Sequence, residues 1–330
     1  MKVRTEFVMC DSCGSGLHRQ LLFARDTRTC LVRQQFPLVE CKECGLVFVN
    51  PRPTRENLGK LYPPDEYYAL QESAAMWQGL RPTLKSYAIR FISGHHNTPW
   101  GRTGARLLGR MVSVSVPYVE GGKILDVGCG SGAYLDLMQQ VGWVTYGVEP
   151  SKTGAERARA SGHDVFCGEL IDAGYSLELF DVILMHHVLE HVPSPEAVLR
   201  ECYRIVKKGG LIVVSVPNFG CYDRVTFAEH WDPLDVPRHL YHFSVSTLRH
   251  ALERAGFKVT RFRYRTWFTS RQFYSASFRS LRESNSCKLG LIRAYLRTFL
   301  LKPAQYLFSI KQSQRFAVTM TAYAIKTTEG

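Results

Sequence analysis

Lys123-Ile-Leu-Asp-Val-Gly-Cys-Gly-Ser-Gly-Ala-Tyr134 is the stretch whose reading decides the fold. Ile124, Leu125 and Val127 form an apolar run of the kind that becomes a buried parallel strand. The run meets three glycines at alternate positions, Gly128, Gly130 and Gly132, where a backbone must turn sharply and admit a ligand closely. Tyr134, Leu135, Leu137 and Met138 then begin a helical pattern. Strand, glycine turn and helix together make the crossover that opens a nucleotide-binding sheet.

Two details separate this loop from a dinucleotide site. Its spacing is G-x-G-x-G, whereas the dinucleotide fingerprint is G-x-G-x-x-G. Asp126 also stands two residues before the first glycine, where it would repel a pyrophosphate and attract a cation. The motif resembles that of class I S-adenosylmethionine (SAM) methyltransferases, whose cofactor carries a sulfonium and an ammonium. The resemblance covers about residues 119–268 and the last strand. It implies a cofactor set of Asp126, Gly128, Gly130, Gly132, Glu149, Glu169, Leu170 and Met185. Glu149 ends a second apolar strand at 144–148, and two carboxylate oxygens can accept from a vicinal ribose diol. Glu169 and Leu170 stand where the family contacts adenine.

The rest of the core follows by alternation. Strands are expected at 164–167, 182–185, 211–216 and 257–267, with a helix at 195–206. Lys207-Lys208-Gly209-Gly210 reads as that helix's C-cap. A final strand is expected at 316–326. Alternating strands and helices imply an α/β, Rossmann-like, doubly wound sheet of seven strands with an antiparallel last strand.

In front of this core, Cys10-x-x-Cys13 and Cys41-x-x-Cys44 are separated by 27 residues. Each pair lets two thiolates reach one tetrahedral ion, and two pairs complete a closed structural zinc site. Gly14 and Gly45 follow the pairs, as knuckle turns require. Cys30 lacks a partner at that spacing and reads as a small apolar residue. Three parts are expected: a zinc ribbon at 1–60, a helical linker or lid at 61–118, and a methyltransferase domain at 119–330. Tyr67 or Tyr68 in the linker could close over the methionine end of the cofactor.

His187, Glu190 and His191 lie at i, i+3 and i+4, a spacing that shares a face on one helical turn. They follow the fourth strand, at the edge where open sheets bind ligands. A second cluster spans Trp231 to Phe243 and includes His239, Tyr241 and His242. A hydroxyl acceptor must lose a proton, and a neutral histidine suits that role near pH 7. His187, His191 and His239 are therefore the candidate bases. His187-x-x-Glu190-His191 also resembles the E-x-x-E-H of ubiquinone-pathway and small-RNA 2′-O-methyltransferases, where carboxylates and histidine hold a divalent ion. Histidine in the first place favours a borderline metal over Mg²⁺ at His187, Glu190 and His191. Met185-His-His-Val188 replaces the D/N/S-P-P-F/Y of nucleobase amino-methyltransferases, which points to oxygen as the target.

The 330 residues carry a net charge of +13 and are 45% hydrophobic, enough for a real core. The charge is uneven: residues 1–118 carry +7, 119–256 carry −6 and 257–330 carry +12. No acid occurs between Glu72 and Glu120 or between Glu283 and Glu329. A helical insertion is expected at about 270–315. Within it Leu291, Ile292, Tyr295, Leu296, Phe299 and Leu300 form an apolar stripe among Lys288, Arg293, Arg297 and Lys302. A similar stripe occupies Leu84, Tyr87, Ala88, Phe91 and Ile92. Such basic amphipathic helices suit an anionic membrane surface through 284–315, or they pack as a substrate lid. No secretory h-region and no run of about 18 apolar residues is seen, so a cytoplasmic protein, peripheral at most, is expected. The acceptor expected is a small molecule or glycan: a hydroxyl of a surface glycan, natural product or lipid-linked intermediate. Two alternatives remain open: an RNA methyltransferase docking through ribbon and basic flanks, and a non-catalytic SAM-binding scaffold.

Overall fold

The computed structural model describes residues 1–62, 116–117, 119–265, 271–283, 296 and 313–328. Tyr67, Tyr68, the stripe at 84–92, most of the linker and nearly all of the basic 284–315 segment lie outside them.

The amino-terminal part comprises β1 (Thr5–Glu6), β2 (His18–Arg25), β3 (Gln35–Cys41), β4 (Val47–Val49), β5 (Arg52–Pro53) and α1 (Arg55–Leu58). The core continues with β6 (Lys123–Val127), α2 (Ala133–Gln140), β7 (Val144–Glu149), α3 (Lys152–Ala160), β8 (Asp164–Cys167) and β9 (Phe180–His186). Then come α4 (Pro195–Ile205), β10 (Val206–Pro217), α5 (Tyr222–Phe227), β11 (Tyr241–His242), α6 (Val245–Arg254) and β12 (Phe257–Arg265). The last elements are α7 (Arg271–Glu283), α8 (Ser313–Phe316) and β13 (Thr319–Lys326).

Seven strands form one sheet in the order β12-β13-β10-β9-β6-β7-β8. β10, β9, β6, β7 and β8 are parallel neighbours, and β13 runs antiparallel between β10 and β12. This is the expected Rossmann-like sheet with its antiparallel last strand. The central β6 is buried on both faces, as its apolar run demands: Ile124 and Leu125 are inaccessible to solvent. The chain reverses its winding direction beside β6, so the loop after β6 opens into the crevice at the switch point.

Three boundaries differ from expectation. Helix α4 ends at Ile205, and Lys207-Lys208-Gly209-Gly210 belongs to β10, with a register shift against β9 between Val206 and Leu211. The paired glycines thus form an irregularity in the strand, with Gly209 at φ +73°, and not a helix cap. Lys207 does not cap α4; its ammonium is 2.8 Å from both oxygens of Asp181. The last strand begins three residues late, because 313–316 adds a short helical turn before it.

A second sheet has the order β11-β4-β3-β2. Three of its strands come from the cysteine-bearing front end. The fourth comes from beyond β10: Tyr241 pairs with Phe48 and His242 with Val47. A single apolar cluster accordingly runs from Cys10, Val39, Cys41 and Phe48 through Leu240 and Phe243 to Leu125 and Met185. The ribbon and the catalytic sheet share one core.

Candidate active site

The glycine loop holds all three of its glycines at positive φ: Gly128 at +76°, Gly130 at +56° and Gly132 at +85°. At Gly128 the need is doubled, since a Cβ there would lie 2.5 Å from Val188 Cγ2. Val188 belongs to the segment after β9, so the glycine loop and the histidine-bearing turn touch directly.

Asp126 is buried, and burial, with the nearby Glu149 charge as a second cause, lifts its carboxyl to about 7. Glu149 is also raised by burial, an effect opposed by the amides of Ser151 and Gly130. Those amides donate to its two oxygens at 2.8 Å and 2.9 Å. Two acids crowded beside a glycine cradle, each disfavoured in its charged form, fit a cationic ligand that restores the charge. The residues present therefore suit SAM. Leu170 is buried in a 3₁₀ turn, while Glu169 stands at the surface with its carboxylate 2.8 Å from Arg55. Met185 is buried in the shared core near the end of β9.

The Cys10, Cys13, Cys41 and Cys44 thiols lie within 4.8 Å of one another. Cys10 and Cys44 sulfurs are 3.5 Å apart, as are those of Cys13 and Cys41. Tetrahedral Zn–S bonds of about 2.3 Å place sulfurs roughly 3.8 Å apart, so the spacing of the four is near what one zinc requires. The knuckles repeat one another: Gly14 N donates to Cys10 O, Gly45 N to Cys41 O, and both glycines have φ +74°. Asp11 sits inside the first knuckle. Its carboxylate accepts from Ser194 Oγ and from Glu196 N, both at 2.7 Å, at the start of α4.

Residues 187–191 do not form the helical turn that their spacing suggests. His187 adopts φ +56°, and His191 N donates to Val188 O in an isolated turn. His187 Nδ1 bonds to Glu190 Oε1 at 2.9 Å and its ring stays outside the cluster beyond. His239 joins instead. Glu190, His191 and His239 each offer a ligand atom within 4.8 Å of the others, and the two imidazole centroids are 4.5 Å apart. The trio expected for a second metal, His187 with Glu190 and His191, is thus replaced among the described residues by Glu190, His191 and His239. The backbone accompanies this: His187 adopts a left-handed φ of +56° with its Nδ1 on Glu190 Oε1, and His239 comes from the segment just before β11. Glu190 O accepts from the Leu240 and Tyr241 amides, which fastens the two segments together.

Both histidines of the pair are oriented through Nδ1. His191 Nδ1 lies 3.2 Å from the Arg238 carbonyl and 3.0 Å from Tyr62 Oη; His239 Nδ1 lies 2.9 Å from Pro233 O. A carbonyl only accepts, so the bond to Pro233 O puts the His239 hydrogen on Nδ1; at His191 the Arg238 carbonyl calls for Nδ1–H, whereas the nearer Tyr62 hydroxyl can either donate or accept. Burial lowers both pKa values: His239 falls well below the ordinary range with His191 adding to the effect, while at His191 the lowering is opposed by Glu190, Asp235 and the Arg238 carbonyl and aided by His187. Both rings are neutral at pH 7. Among the described residues, Glu190 Oε2 is buried without a hydrogen-bond partner. His242 is also buried, which lowers it to about 3, and its Nε2 has no partner among them either. Sequence reasoning missed Tyr62 and Arg238; the only signal for either was proximity to aromatic and histidine-rich stretches.

A family model described as "Methyltransferase domain" matches residues 95–261. A ubiquinone biosynthesis O-methyltransferase of Pseudomonas entomophila is 37% identical over 30% of this chain and 46% of its own length. The protein of the same name from Rhizobium leguminosarum is 36% identical over 43% of this chain and 67% of its own. The chain thus spans about half to two thirds of these two relatives. A SAM-dependent methyltransferase structure from Mesorhizobium loti superposes with a TM-score of 0.43 at 16% identity, covering 64% of this chain and 93% of that one. No helix among the described residues is long and apolar enough to cross a membrane.

Proposed function

The chain belongs to this methyltransferase family, and on that premise we propose that it transfers a methyl group from SAM to a hydroxyl of a glycan, natural product or lipid-linked intermediate. One observation supports the oxygen reading: a half-buried and a buried imidazole, His191 and His239, face each other with centroids 4.5 Å apart beside the turn that packs on the glycine loop, with Asp235 Oδ2 3.8 Å from His239 Nε2. SAM supplies an activated methyl on a sulfonium. Asp126 and Glu149 would hold its charged and ribose ends. His191 or His239 would take the hydroxyl proton at Nε2 while SAM supplies the methyl to the acceptor oxygen and leaves as its thioether. In-line positioning supplies much of the rest.

The unpartnered Glu190 Oε2 supports a second function for the same trio. Two imidazoles and a carboxylate suit a borderline divalent ion, which would acidify the acceptor hydroxyl. The Cys10, Cys13, Cys41 and Cys44 set would hold a separate, structural zinc. Mass spectrometry of acceptor panels incubated with labelled SAM tests the reading: a +14 Da product on a hydroxyl compound supports it, and methylated nitrogen or RNA alone would replace it.

A further inference from the structure

Arg238 is 1% exposed, the largest of the fully buried side chains. Its Nη2 donates to Asp26 Oδ1 at 2.9 Å and its Nη1 to Thr29 Oγ1 at 2.8 Å, both in the ribbon's β2–β3 connection. Its Nε donates to Asp235 Oδ1 at 3.0 Å. Asp26 is itself held by Thr29 N, Thr29 Oγ1, Leu31 N and Val32 N, so it cannot follow Arg238 if the arginine moves. Arg28 adds an ion pair to Asp232 at 2.8 Å. The ribbon therefore grips the 232–239 segment through a buried fork of charge.

The other end of Arg238 is its backbone. Its carbonyl accepts from His191 Nδ1, and the Tyr62 hydroxyl lies 3.5 Å from it. The next residue is His239, whose amide donates to Asp235 O. Both imidazoles thus hang on one peptide unit whose place is set by the guanidinium. A planar fork with donors in fixed directions transmits position better than a flexible ammonium would. A buried ion pair seldom adds more stability than an apolar pair of equal volume, so its presence here is better accounted for by orientation than by stability.

We propose that Asp26 of the ribbon is a positioning residue for His191 and His239, acting through Arg238. It touches neither cofactor nor acceptor. Its role is to keep the Arg238 carbonyl where it selects the Nδ1–H tautomer of His191 and leaves Nε2 free. This rests on the methyltransferase reading for its catalytic meaning, though not for its structural content.

The test uses the full chain with its zinc, labelled with ¹⁵N-histidine, and reads imidazole tautomers by long-range ¹H–¹⁵N correlation. His191 and His239 in the native chain should each show a protonated Nδ1 and a pyridine-like Nε2. Asp26→Asn should leave zinc content unchanged and SAM affinity, by calorimetry, within about twofold, because the hydrogen bonds of Asp26 run to Thr29, Leu31, Val32 and Arg238 and not to the glycine loop. The His191 signature should nevertheless collapse toward a tautomer mixture, with Asp26→Glu restoring part of it. Should Asp26→Asn fail to fold, Arg238→Lys and Thr29→Val apply the same perturbation more mildly and should shift the same resonances. Native tautomer signatures in all folded variants would overturn the proposal. Failure of the native chain to bind SAM would instead overturn the methyltransferase reading and leave the tautomer result standing.

Discussion

Asp11, between two zinc-knuckle cysteines, accepts a 2.7 Å hydrogen bond from Ser194, the residue that caps helix α4. Ser194 in turn accepts from Ala197 N, so the knuckle and the helix start are one hydrogen-bonded unit. That helix begins four residues after His191. A metal held by the four cysteines would therefore be coupled to the segment that carries the histidine pair.

From this follows an outcome for the zinc. Metal analysis should find about one ion per chain in the cysteine site, lost in Cys10→Ser and Cys41→Ser. Hydrogen exchange should then show deprotection in the ribbon and also in residues 190–197. Asp11→Ala should keep the metal but cost about 1 kcal/mol, as the loss of a helix cap does. Deprotection confined to the ribbon would refute the coupling.

At the cofactor end, Asp126→Ala and Glu149→Ala should each weaken SAM binding by roughly 1.5–3 kcal/mol, the scale of a charged hydrogen bond. Unchanged calorimetric affinity in both would remove the site assignment.

The raised carboxyl of Asp126 gives that binding a pH dependence. In the free protein this group titrates near 7, above its ordinary 3.8, because it is buried and faces Glu149. Its ionised form is disfavoured by folding, so the cofactor-free protein should lose stability as pH rises from about 4 to 7 and then level off. A cation favours the ionised form, so SAM affinity should rise over the upper part of that window, by at most about tenfold per unit for one proton. Asp126→Asn should flatten the profile, and a native profile independent of pH between 5 and 8 would contradict the assignment.

For chemistry, His191→Ala and His239→Ala should lower turnover about 10²–10⁴-fold while sparing SAM affinity. His187→Ala should do less, since its ring bonds Glu190 from outside the cluster. Chelation under conditions that keep the ribbon zinc separates the two functions of the trio. Restoration by Mn²⁺ or Zn²⁺ supports the ion; indifference to chelator leaves the histidines as bases.

Finally, the +12 of residues 257–330 should make the protein sediment with anionic vesicles and not neutral ones, less so as salt rises. Replacing Arg293, Arg297 and Lys302 with Gln should release it. Retention on RNA but not on vesicles would favour the nucleic-acid alternative, and altered turnover without vesicle binding would favour a substrate lid.

Much of the sheet was legible because burial on both faces writes apolar runs such as 124–127 and 182–185 directly into the chain. The cysteine knuckles were legible for a related reason: gathering four thiols needs cysteine pairs at short spacing. What escaped is non-local. β11 is only two residues long, too short for any periodicity, and its pairing with β4 depends on the whole fold. The Asp26–Arg238 contact joins residues 212 apart. His187 defeated the helical reading because a left-handed residue leaves no mark when it is not glycine. Lys207 to Gly210 misled for the opposite reason, since a basic pair before glycines looks like a cap whether or not the helix reaches it.

The strand that completes the ribbon's sheet has a consequence for how the protein is made. Synthesis delivers the amino terminus first, at about 5–20 residues per second, so Asp26 waits on the order of 10–40 s for Arg238 to appear. Throughout that interval β4 is an uncovered edge and a buried acid lacks its cation. The ribbon can gather its metal early, yet it becomes a finished structure only after the chain has passed residue 242. A nascent chain stalled in the core would therefore expose a sticky edge, and quality control in the cell would meet this protein by its front end.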